Sequence, residues 1–206
     1  MNAMTSARIY LASSSPRRRE LLNQIGVHFD LLPFRHTPRA DAEVDESECA
    51  GEAPADYVVR LALAKAAHGA KLIGLRHLPQ QAVLAADTTL DLDGSIIGKP
   101  RDAADARAIL ARLSGRWHRV LTAVALVDGR RCEHLLSCSE VCFRPLAAVE
   151  IERYAASNEP LDKAGAYGIQ GRAAMFIAEI RGSHSGIVGL PLCETALLLR
   201  SFGYPI

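Results

Sequence analysis

Long apolar runs are missing from the 206-residue sequence: stretches such as 82–86 fall far short of the roughly 18 to 20 residues that a membrane-spanning helix needs. The first residues, 1–7, lack the apolar run of a signal peptide. Cysteine is sparse. The five present, Cys49, Cys132, Cys138, Cys142 and Cys193, are odd in number and contain no Cys-x-x-Cys pair, so neither a disulfide framework nor a zinc site is indicated, and free thiols in a reducing cytosol are expected. No charge of one sign accumulates either: 24 Lys and Arg against 23 Asp and Glu leave a net charge of +1, which gives no broad field for a nucleic-acid backbone or an anionic membrane. With only five Phe, five Tyr and one Trp, the stacking platforms and basic surface of an RNA-binding module are absent. No Gly-x-x-x-x-Gly-Lys-Ser/Thr occurs, which removes a P-loop ATPase, and the seven histidines show no His-Glu-x-x-His spacing.

What remains is a chain with 49% hydrophobic residues and ordinary charge, long enough for a well-buried core and short enough to be one domain over 1–206. A strand over 8–12 and a turn over 13–15 lead into a helix that begins at Pro16, where proline suits the first helical position and Ser15 can cap the free amides; Gly26 ends it. The stretch 33–52 is rich in Pro, Asp and Glu and without period, hence a long surface loop. A helix over 54–70 and a buried strand over 81–86 follow, then a hairpin of 89–92 with 95–98 turned by Asp93-Gly94. Asp102 caps a helix through Leu113. Strands over 120–127 and 132–143, a helix over 146–157, an irregular Gly-rich stretch over 162–171, a strand over 175–180 and a helix over 191–201 complete the reading. Strands and helices mix without strict alternation, so the expected class is α/β, a single domain with a mixed sheet flanked by helices rather than a doubly wound parallel one.

Four stretches carry chemistry. In Ser13-Ser14-Ser15-Pro16-Arg17-Arg18-Arg19, hydroxyls and free amides at a helix start, with arginines in the first turn, suit phosphate oxygens. Arginine there opposes the helix dipole by a few tenths of a kcal/mol, so three together call for an anion; solvated arginines on a capped surface helix are the competing account. On the helix over 54–70, Lys65 shares the face of Val58, Leu61 and Ala62, which should be buried, and a buried ammonium needs an anion unless it snorkels out. In Ala85-Ala86-Asp87-Thr88-Thr89 an acid stands just past a buried strand, where α/β folds place catalytic groups. If Asp93-Gly94 makes a two-residue turn, Leu92 pairs with Ser95 and counting outward sets Thr88 opposite Lys99; Asp87, Thr88 and Lys99 then form one cluster, either a site or a structural salt bridge. The fourth stretch, 162–171, sets glycines and alanines around Asp162, Lys163 and Gln170, which suits a backbone that closely approaches a ligand or an ordinary Gly-rich loop.

Together these motifs, SSSPRRRELL at 13–22, YVVRLALAKA at 57–66, AADTTLDLDGSIIGKPRD at 85–102, LSGRWHRVLTAVAL, EPLDKAGAYGIQG at 159–171 and GSHSGIVGLPL at 182–192, resemble the Maf family over nearly the whole chain. The resemblance implies a mixed, elongated α/β fold shared with the house-cleaning inosine triphosphatases. It also implies a metal-dependent nucleotide pyrophosphatase, with Mg or Mn as the divalent cation, and a cytoplasmic homodimer. It assigns Asp87 as general base, Lys65 and Lys99 to the catalytic site, and Ser13, Arg17 and Arg18 to the phosphates. Glu46 matches the acidic position of the family's early loop and is the second metal carboxylate beside Asp87, with Asp45 and Glu43 close by as alternatives. Arg17, Thr88 and Gln170 match the branch acting on dTTP and UTP, where a glutamine amide suits the carbonyl and imide of thymine or uracil, although it could flip to suit cytosine. Ser14, Ala85 and His184 depart from the family's more usual glycine, glycine and tyrosine. Two alternatives stand beside this reading: a pyrophosphatase for 7-methyl-GTP or deaminated purine triphosphates, and a non-catalytic nucleotide-sensing regulator of septum formation.

Overall fold

The hydrophobic segments assemble into a seven-stranded mixed sheet in the computed structural model, which describes residues 8–34, 44–157 and 159–206. The order β2 (Phe29–Leu31), β1 (Ile9–Leu11), β3 (Val83–Leu92), β5 (Trp117–Asp128), β6 (Arg131–Phe143), β7 (Ile177–Arg181) runs across it, with β4 (Ser95–Ile97) paired to β3. β1 is parallel to β2 and β3, and the remaining pairs are antiparallel. The parallel pairs are reached through helices α1 (Pro16–Gln24) and α2 (Pro54–Leu75), as parallel pairing requires. The other helices are α3 (Ala103–Leu113), α4 (Ala148–Ala155), α5 (His184–Val188) and α6 (Leu192–Ser201).

Alternation along β3 distributes its side chains between two faces. Val83 and Ala85, with Ala123 and Ala125 of β5, lie under Val58, Ala62 and Ala66 of α2. Leu84 and Ala86 turn the other way, against Leu21 and Leu22 of α1 and Leu198 and Leu199 of α6. Farther along, Leu90 and Leu92 enter a third apolar cluster with Leu110 of α3, Tyr154 of α4, Phe143 and Phe176. Asp87, Thr88 and Thr89 are the polar interruption between these clusters, and a cleft opens there.

Several expected boundaries shift. The strands expected over 81–86 and 89–92 are one ten-residue strand, so Asp87 lies inside β3 instead of past its end. Its carboxylate is met by a cation, so its charge need not terminate the strand, and the ladder to β5 continues through Asp87↔Ala123 and Thr88↔Thr122. α2 continues past the expected end at residue 70 to Leu75, since Leu72 and Ile73 beyond it are buried; Gly69 within it is a packing contact, where a Cβ would meet Val83 Cγ1 at 2.8 Å. The Asp93-Gly94 turn forms as expected, with φ of 56° and 82° and Leu92 opposite Ser95. The strand expected over 175–180 starts at Ile177, after a 3₁₀ turn over Arg172–Phe176, and the helix expected over 146–157 is confined to Ala148–Ala155. β2 and α5 were not expected; segments of three and five residues are too short to show a period. Of the loop over 33–52, residues 35–43, Glu43 among them, lie outside the described residues, as do 1–7. Among the described residues the cysteines are all free, and no helix is long and apolar enough to cross a membrane.

Candidate active site

A cavity of about 940 Å³ opens where the three apolar clusters meet, of the size expected for a small-molecule site. All nine residues singled out from the sequence line it: Ser13, Arg17, Arg18, Glu46, Lys65, Asp87, Thr88, Lys99 and Gln170.

One wall is ionic. Lys65 projects from the buried face of α2, and its Nζ lies 2.6 Å from Asp87 Oδ1 and 2.6 Å from Glu46 Oε1. Its side chain is 15% exposed and that of Asp87 12%, so the ammonium does not snorkel to solvent but is matched by two anions. Burial alone would raise the Glu46 carboxyl; the hydrogen bond and charge of Lys65, joined by Lys99 and Arg18, bring it below its ordinary value. Asp45 is taken up locally, accepting from the amide and hydroxyl of Ser47 at 2.9 and 2.6 Å, and among the described residues Glu46 is the early-loop acid that faces Lys65. Tyr57, another wall residue, donates its hydroxyl to the Glu46 carbonyl at 3.0 Å; burial beside Asp87 and Glu46 pushes it up to about 12.

The second wall is the start of α1. Ser15 caps the helix by accepting from the Arg18 amide. The Arg18 guanidinium is held on three sides: Nε donates to the Gly189 carbonyl at 2.8 Å, Nη1 to Ser13 Oγ at 3.4 Å and Nη2 to Thr88 Oγ1 at 3.3 Å. Burial lowers its affinity for the proton, Asp87 opposing and Arg17 adding to the shift. Arg17 reaches across the cleft to within 3.6 Å of Asp162. The unfavourable arginines are therefore partly paid for by protein oxygens, and the solvated-helix account does not hold for Arg18.

Two sequence expectations change here. Asp87 and Thr88 share the cavity with Lys99 but are not one contact cluster. Successive strand residues point to opposite faces, so Asp87 meets Lys65 while Thr88 meets Arg18 and Thr122. The glycines of 162–171 are required by the protein itself more than by a ligand. A Cβ on Gly165, at φ +72°, would lie 2.1 Å from Leu90 Cδ2, and one on Gly171 would lie 2.0 Å from Glu159 Oε1. Glu159, which also accepts from Tyr154 at 3.0 Å, lines the cavity and was missed, as was Phe34, because neither stands in a pattern that periodicity or charge would single out. Gln170 is exposed at the cavity mouth. Of the departures noted in the sequence, Ser14 is exposed, Ala85 is fully buried under α2 and His184 opens α5, and none removes a group from the cavity wall.

Two carboxylates converging on one cation are a hard-oxygen donor pair, the kind that binds a divalent ion together with substrate phosphates and water. Glu46 and Asp87 fit that requirement without a third protein carboxylate; among the described residues no group of three or more acidic, His or Cys side chains is placed to hold a metal alone.

The family model for Maf-like protein matches residues 8–202. A dTTP/UTP pyrophosphatase of Aromatoleum aromaticum is 66% identical over 97% of this chain and 98% of its own length. Another from Dechloromonas aromatica is 57% identical over 96% of this chain and 98% of its own. Among solved structures, the Staphylococcus aureus Ham1 protein aligns with 66% of this chain and 71% of its own at a TM-score of 0.41 and 14% identity.

Proposed function

The chain belongs to the Maf family, and on that premise we propose that it hydrolyses dTTP and UTP to the monophosphate and pyrophosphate. The observation that carries this reading is the Glu46–Lys65–Asp87 group facing an anchored Arg18 across one cavity. It occurs in a chain 66% identical, nearly end to end, to a dTTP/UTP pyrophosphatase.

In the proposed reaction a water attacks the α-phosphorus, the bond from that phosphorus to the oxygen bridging it to the β-phosphate breaks, and pyrophosphate leaves with that oxygen. Asp87 is the general base. Lys65 occupies its Oδ1, leaving Oδ2 to take the proton from the attacking water. Arg18, Arg17, Ser13 and Lys99 meet the phosphate oxygens and the charge that grows on the leaving group. Glu46 and Asp87 would hold the divalent cation, Mg or Mn, which when bound polarises a phosphoryl oxygen and makes water more acidic. Gln170 presents an amide donor and acceptor to the carbonyl and imide of the base. The cytoplasmic, homodimeric state belongs to the same proposal, and light scattering of the purified protein tests the dimer.

The deciding experiment is hydrolysis of a panel of canonical, deaminated and methylated nucleoside triphosphates with magnesium or manganese, resolving pyrophosphate from single phosphate. Pyrophosphate release fastest from dTTP or UTP is the expected result. Preference for 7-methyl-GTP or inosine triphosphate would overturn the substrate assignment, and binding without turnover would overturn the enzyme.

A further inference from the structure

The hydroxyl of Thr88 is already committed. Thr122 stands directly opposite it on β5, is completely buried, and lies 2.8 Å from the Gly186 carbonyl of α5. A carbonyl oxygen only accepts, so the single Thr122 proton goes to Gly186. The 3.0 Å contact between the two threonine hydroxyls must then run from Thr88 to Thr122. Arg18 Nη2 has only protons to give, so it donates to Thr88 Oγ1. Every direction in the series is thereby fixed: Arg18 to Thr88, Thr88 to Thr122, Thr122 to Gly186. Since Arg18 Nε also donates to the Gly189 carbonyl, at 2.8 Å, the guanidinium is tied to both ends of the same turn of α5. Three of the five guanidinium N–H donors are used in this way and by Ser13, so its plane is set before any ligand arrives and two donors remain for phosphate oxygens.

We propose that Thr122 is a positioning residue for the pyrophosphatase reaction: with Thr88 it forms a one-way hydroxyl relay that locks Arg18 against α5. Thr88 therefore acts on the substrate's phosphates through Arg18 and not on the base. Its only proton is spent on Thr122, so it has none to donate to a thymine or uracil carbonyl. The inference rests on the reading that the cavity binds a nucleoside triphosphate.

The test is a double-mutant cycle on kcat/KM, with Thr122→Val, which keeps shape and loses the hydroxyl, and Thr122→Ser, which keeps the hydroxyl, each in the wild-type and Arg18→Lys backgrounds. Thr122→Val is expected to cost about tenfold or more in the wild type but less than about twofold beside Arg18→Lys, with Thr122→Ser within about threefold of wild type. Full activity in Thr122→Val, or equal losses in both backgrounds, would overturn the relay. Should Thr122→Val fail to fold by circular dichroism, Thr88→Val against Thr88→Ser carries the same expectation. Thr88→Val should also lower kcat/KM for pyrimidine and purine triphosphates by the same factor; a loss confined to dTTP and UTP would mean that Thr88 reads the base. The ¹⁵N resonance of the Arg18 side chain reads the relay without turnover: it should shift with Thr122→Val and stay with Thr122→Ser, and an unchanged resonance in Thr122→Val refutes the proposal. A wild-type protein that releases no pyrophosphate from any triphosphate would sink the functional reading alone, and the resonance would still decide the relay.

Discussion

Lowering the pH from 7 to 4 should remove a defined part of this protein's stability through one residue, His118. It lies on β5, 3% exposed, with Nε2 hydrogen-bonded to the Tyr167 hydroxyl at 2.8 Å and its ring edge-to-face with Phe143 and Tyr167 at 5.2 and 5.5 Å. Among the described residues Nδ1 has no hydrogen-bond partner and none offers the imidazolium a counter-charge, and burial pushes the ring down to about 4. In the unfolded chain the same ring titrates near 6.5. Below that value the unfolded state takes up a proton that the folded state refuses, so stability falls with pH from about 6.5 down to about 4, where the folded ring protonates too and the loss stops. At about 1.4 kcal/mol for each pH unit, the window is worth about 3 kcal/mol, a large fraction of the roughly 5 to 15 kcal/mol that holds a domain folded. The assay is urea unfolding at pH 7, 6, 5 and 4 for the wild type and His118→Gln, the variant serving to subtract the carboxylates that titrate in the same range. The stability advantage of the wild type should shrink by about 3 kcal/mol between pH 7 and 4. Parallel pH profiles for the two proteins would refute the reasoning.

Three further outcomes are expected. Asp87→Asn should lower kcat by at least about 10² to 10⁴ while leaving the thermal midpoint near that of the wild type; full turnover would remove Asp87 from the mechanism. Gln170→Glu should weaken dTTP and UTP more than purine triphosphates in a steady-state comparison, and equal losses would show that Gln170 does not read the base. Gly165→Ala should destabilise the fold by about 2 to 4 kcal/mol in chemical denaturation, since its Cβ would lie 2.1 Å from Leu90 Cδ2 at a φ of +72°; a loss below about 0.5 kcal/mol would contradict the close packing.

Most of the site was legible in the sequence because its parts advertise a local conflict. Arginines at a helix start, a lysine on an apolar helical face and an acid just past a buried strand each stand out from the pattern around them, and each has a limited set of physical remedies. Lys65 and Arg18 show the remedies: the lysine is met by Glu46 and Asp87, the arginine by Gly189, Ser13 and Thr88. Where a segment satisfied no period, as in β2 and α5, the sequence stayed silent.

Sequence alone determined the mixed α/β class, the Asp93-Gly94 hairpin with its register, the Ser15 cap, and the conflict-bearing residues Arg17, Arg18, Lys65 and Asp87 that gather at one cavity, because these follow from local periodicity, turn chemistry and the cost of unpaired charge, whereas Glu46 and Gln170 were named by the family resemblance. Only the tertiary structure decided which of them touch. The pleat of β3 sends Asp87 to Lys65 and Thr88 to Arg18, on opposite faces, and the pairing of β3 with β5 brings Thr122, 34 residues along the chain, against Thr88. No local rule carries that information, since the partner of a strand residue is fixed by register with a distant strand and not by its neighbours in sequence.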